Sequence, residues 1–155
     1  MSGKIKQEAI SWIKTILLAV ILAGAVNSFL IVNAEVPTGS MENTIMTHDR
    51  VIGSRLTYYF SDPQRGDVAI FYFPDDVTEK TYFVKRVIGM PGDTVDIRDG
   101  HVYLNGSDTP LEEPYIKEPM ETPEELHYEV PEGCYFMLGD NRNFSADSRF
   151  WKNTF

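Results

Sequence analysis

The chain has 155 residues, of which 43% are hydrophobic and 24% charged, so it can bury an ordinary core as one globular body and does not read as disordered. Its net charge of −9 is uneven: residues 1–34 carry Lys4, Lys6 and Lys14 against Glu8, while residues 35–155 hold 11 basic and 22 acidic side chains, an acidic surface unsuited to nucleic acid. A single cysteine excludes an internal disulfide, and three scattered histidines with no Gly-rich phosphate loop argue against a metal or a nucleotide cofactor.

The first element is a membrane segment. Thr15 to Ala34, TILLAVILAGAVNSFLIVNA, runs 20 residues without a charge, enough at about 1.5 Å per residue to cross the roughly 30 Å of a bilayer core. A buried core helix would show a polar face, and none is visible. Three lysines precede the span and Glu35 follows it, which sets residues 1–14 in the cytoplasm and residues 35–155 outside. Val32-Asn33-Ala34 also matches the small-residue cleavage site of a secretory signal peptide, so cleavage after Ala34 is a competing reading; the length of the apolar run favours a retained anchor.

Beyond residue 35 the pattern changes to short strands between turns. DVAIFYF (67–73) and TYFVKRVIGM (81–90) are bounded by Pro/Gly/Asp clusters. TVDIR and HVYLNG are joined by Asp99-Gly100, the chemistry of a tight hairpin, and EGCYFMLGD (132–140) is a further strand, with Cys134 expected to be buried and inert. Residues 111–132 hold eight glutamates and prolines 114, 119, 123 and 131, and read as a solvated extended loop. No helical periodicity appears here, so the expected fold is mainly β: an antiparallel catalytic domain after one transmembrane helix.

Two side chains stand out chemically. Ser40, in PTGSM, is a turn serine by its local context or a nucleophile by its position just past the span. Lys85 alternates with Phe83 and Val87 on one strand face; it is either a lysine reaching to water or one desolvated enough to act as a base.

PTGSM, then FVKRVIGMPGD about 45 residues later, then GDNRNFSADSRFW (139–151) occur in that order. Together they resemble type I signal peptidases, specifically the bacterial form with a Ser/Lys dyad. The resemblance runs from the membrane span to Trp151 and implies Ser40 as nucleophile and Lys85 as general base, since the endoplasmic-reticulum relatives carry histidine there. It implies an oxyanion hole from the Ser40 N–H and the Thr38 hydroxyl, where many members have serine. It assigns Ser145 to orienting the lysine, and Asp140, Arg142, Asp147 and Arg149 to structural support, the last two as an ion pair. The implied partners are exported preproteins, cut after small residues in an A-x-A pattern and bound as an added strand, together with the lipid bilayer of a bacterial cell. Two departures accompany it. Asn143-Phe144 replaces the usual Asp-Asn, and relatives continue past Phe155 into at least one further strand.

Rivals are weighed against this. Self-cleaving repressors of the DNA-damage response share the dyad but are cytosolic with a basic DNA-binding domain, and neither feature is present. A penicillin-binding reading needs Ser-x-x-Lys at the nucleophile, and the only match, Ser11 to Lys14, precedes the span. The third is a membrane-tethered β-domain that binds a partner without catalysis. Asn105-Gly106-Ser107 and Asn143-Phe144-Ser145 are treated as chance glycosylation triplets.

Overall fold

A computed structural model describes residues 2–76, 78–79, 81–122 and 124–152. Pro123, counted above in the acidic stretch, and Phe155 lie outside them. The chain divides into two compact units, Met1–Asn33 with Ile52–Ser61, and Ala34–Val51 with Asp62–Phe155.

In the first unit, helix α1 covers Ser2–Phe29, and within it Gly3–Val26 is long and apolar enough to cross a membrane. Its leucines and isoleucines face outward, with Leu17, Leu18, Val20, Ile21 and Leu22 each more than half exposed, as suits a helix whose solvent is lipid. The helix ends before the apolar run does. Val and Ile favour extended backbone, and strands β1 (Ile31–Glu35) and β2 (Arg50–Ser54), each crossing the boundary between the units, form a two-stranded sheet. A four-residue helix, α2 (Thr57–Phe60), follows.

The second unit carries two three-stranded antiparallel sheets. β3 (Val68–Tyr72), β4 (Tyr82–Gly89) and β8 (Phe136–Leu138) form one, with β4 central. β5 (Thr94–Arg98), β6 (His101–Leu104) and β7 (Leu126–Glu129) form the other, with β5 central. The β5–β6 hairpin turns at Asp99 and Gly100, whose φ angles of 50° and 77° are the left-handed values its two-residue turn demands.

β4 is buried on both faces because its neighbouring residues serve different cores. Ile88 packs with Val95, Ile97, Val102, Phe136 and Leu138, and Val87 with Ala69, Met137 and Trp151. Cys134 is half-buried against the first of these.

The acidic stretch departs from its reading as a free loop. Leu126–Glu129 pairs with β5, Met120 is buried in the core, and Asn43 Nδ2 donates to the Tyr115 carbonyl (3.0 Å). Eight glutamates among four prolines hide these anchors from a reading based on composition.

Candidate active site

The PTGSM segment folds into a single 3₁₀ turn, Gly39–Met41, with Met41 fully buried beneath it and Ser40 7% exposed. The loop after β8 clamps this turn from the far end of the chain. The Asn141 N–H donates to the Ser40 carbonyl (3.1 Å) and its Nδ2 to the Gly39 carbonyl (2.9 Å). Gly139 makes the approach possible, since a Cβ there would lie 2.4 Å from the Ser40 carbonyl oxygen and 2.3 Å from Ser145 Oγ.

Lys85 comes from the middle of β4, opposite Ala69 of β3. It is 4% exposed, its Nζ lies 5.3 Å from the Phe83 ring centroid, and it reaches the Ser40 Oγ at 2.7 Å and the Val84 carbonyl at 3.1 Å. Burial lowers its pKa to about 8, against the opposing pull of Asp147 and Asp140, which favour the ammonium. The amine is thus uncharged in roughly a tenth of molecules at pH 7, far more than an ordinary lysine offers, and without its proton Nζ can accept one from Ser40 at that distance.

The same shift has a cost in stability. Between about 8 and the ordinary value of 10.5 the unfolded chain holds a proton on Lys85 that the native state has released, so stability rises with pH across this window and is lost as pH falls through 8. Lys85→Met is expected to raise stability at pH 7 by up to about 3 kcal/mol, read as a higher urea midpoint with unchanged slope. The gain should shrink as pH rises from 8 towards 10.5.

The other expected residues surround this pair. Thr38 Oγ1 donates to Ser40 Oγ at 3.4 Å. Ser145 is buried next to Gly139, but its Oγ has no hydrogen-bond partner among the described residues. Lys85 instead spends its second contact on the Val84 carbonyl, because that oxygen belongs to its own strand. Asp147 is fully buried, bonded to Arg149 Nε (2.7 Å) and accepting from the Gly139 N–H (3.2 Å). Asp140, also fully buried, pairs with Arg86, whose Nε and Nη2 reach its two oxygens at 2.8 and 2.6 Å. Thr44 donates to the same carboxylate.

Arg86 was not singled out from sequence. Its signal was available, an arginine beside Lys85 on a strand too apolar to let it reach water, with an unmatched aspartate in the third motif. Arg142 is likewise buried and answers Glu113 (Nη1 to Oε2, 3.1 Å), in the stretch read as solvated.

The family described as signal peptidase, peptidase S26, matches residues 9–154. Signal peptidase I of Leptolyngbya laminosa is 40% identical over 147 residues, covering 90% of this chain and 70% of that protein. Signal peptidase I of Bacillus licheniformis is 35% identical over 153 residues, covering 93% of this chain and 80% of its own. The crystal structure of a signal peptidase I from Enterococcus faecalis V583 shares 35% identity over 58% of this chain and 86% of that one, with a TM-score of 0.48. A chain matched by this family over residues 9–154 and by these curated relatives is a peptidase. The chain belongs to the signal peptidase family, peptidase S26.

Proposed function

We propose that this peptidase is a membrane-anchored serine endopeptidase that removes N-terminal signal peptides from exported preproteins, with Ser40 as nucleophile and Lys85 as general base. The observation that carries the reading is the 2.7 Å contact between Ser40 Oγ and a buried amine whose charged form is disfavoured. Neutral Lys85 takes the Ser40 proton as Oγ attacks the scissile carbonyl, and the resulting ammonium protonates the leaving amine. Water then attacks the acyl-ester, giving its proton to Lys85, which returns it to Ser40 as the acid departs.

The oxyanion is held by the Ser40 N–H and the Thr38 hydroxyl. Thr38→Val is expected to lower kcat about 100- to 1000-fold with little change in KM, because the lost donor acts on charge present only in the transition state. Measured kcat within threefold of wild type would remove Thr38 from this role. Ser145, Asp140, Asp147 and Arg149 are assigned to holding this constellation, and the substrate binds extended, cut after small residues at the first and third positions before the bond.

The bilayer holds α1, with the three N-terminal lysines on the cytoplasmic side and the catalytic body outside. A 20-residue span ending with the helix at Phe29 begins at Ile10, which draws Lys14 into its cytoplasmic edge, where the long side chain reaches back to the headgroups. Ser40 then follows the helix by eleven residues rather than the six counted from Ala34. The test is cleavage of a preprotein by the detergent-solubilised full chain, with the product's new N-terminus sequenced and kcat/KM followed from pH 6 to 10. A cut after an A-x-A segment and an acid limb near 8 are expected; a cut elsewhere, or a limb near 10.5, sinks the assignment.

A further inference from the structure

Residues 113–117 pass beside the groups that support Lys85. Arg86 lies over the Tyr115 ring with its guanidinium carbon 3.8 Å from the ring centroid. The Tyr115 hydroxyl donates to Glu113 Oε1 (2.9 Å), and Glu113, its side chain 4% exposed, is itself fixed by Arg142. Arg86 then holds Asp140 by two charge-assisted bonds, one residue along the strand from Lys85. A stacked guanidinium shielded from water keeps its partner carboxylate closely compensated, and a closely compensated carboxylate exerts only a dipole's field on its surroundings.

We propose that Tyr115, seated by Glu113, is a positioning residue for the Ser40–Lys85 pair: its ring covers the Arg86–Asp140 pair so that the Asp140 charge is spent on Arg86 and not on holding a proton at Lys85. This rests on the dyad reading above. The carboxylates around Lys85 are each answered by a cation, which limits but does not remove the pull of Asp147 and Asp140 toward the ammonium. β3 brings only Ala69 opposite it. The nucleophile turn brings Glu42, which is paired with Lys117 at 3.0 Å. The loop after β8 brings Asp147, answered by Arg149, and Asp140, answered by Arg86. Of these, the Arg86–Asp140 pair has the close aromatic cover, at 3.8 Å, whereas Arg149 lies 5.0 Å from the centroid of the exposed Phe150 ring. Removing that cover admits water and loosens the pair, and both effects favour the ammonium form.

The experiment compares full-length wild type, Tyr115→Phe and Tyr115→Leu by the pH dependence of kcat/KM for preprotein cleavage, with urea unfolding of each. Tyr115→Phe keeps the ring and should keep the acid limb where it is. Tyr115→Leu should move the limb up by about half a pH unit or more, lowering kcat/KM severalfold at pH 7 and less at pH 9. A brace that only stabilises the fold would lower the unfolding midpoint and scale the profile without moving its limb, and that result overturns the proposal. Should Tyr115→Leu not fold, Tyr115→Met, of similar reach without a ring face, is read by the same criterion. An unmoved limb beside a normal wild-type profile defeats this inference alone, whereas a wild type without a limb defeats the dyad and this inference together.

Discussion

Ser40→Ala is expected to abolish preprotein cleavage, a loss of about 10⁴-fold or more, while the protein stays folded. Removing the nucleophile of a serine peptidase costs about as much as removing its whole catalytic set, because base and oxyanion donors have nothing left to act upon. The site should survive the change. Ser40 contributes its carbonyl to the Asn141 clamp, which alanine retains, and loses only the Oγ contacts to Lys85 and Thr38. The measurement is product formation after long incubation, beside unfolding curves for variant and wild type. Cleavage at even a hundredth of the wild-type rate would return Ser40 to the status of a turn residue and put the nucleophile elsewhere.

Lys85→Arg should be as damaging, for a different reason. Guanidinium stays protonated at any pH a folded protein tolerates, so the variant keeps a cation in the site and loses the base. The expected result is no cleavage at any pH from 6 to 10, where the wild type climbs through its limb near 8. An arginine variant that recovers as pH rises would show that the proton of Ser40 goes elsewhere. Comparison with Lys85→Met, inactive but more stable at neutral pH, separates loss of chemistry from loss of fold.

What could be read in the sequence was what local patterns encode. The apolar run, the alternation of residues 81–90 and the Asp99-Gly100 turn each report on backbone within a few residues, and α1, β4 and the β5–β6 hairpin follow from them. The end of α1 was misjudged because hydropathy does not distinguish helix from strand in Leu30-Ile31-Val32. Ser40 and Lys85 became conspicuous only as members of three motifs taken together. The supports around them were hidden because each is defined by a distant partner: Arg86 by Asp140 54 positions away, Arg142 by Glu113 29 away. Buried ionic pairs of this sort leave no periodic trace, and glutamates in a proline-rich stretch look alike whether they meet water or a guanidinium.

The Asn141 clamp on the nucleophile turn joins residues 102 positions apart. Ribosomes deliver a chain from its N-terminus, so Ser40 and Lys85 both emerge long before the loop that seats them. On the proposed dyad, a nascent copy ending anywhere short of that loop has a serine and a lysine but no seated site, and proteolysis waits until synthesis has passed Asn141.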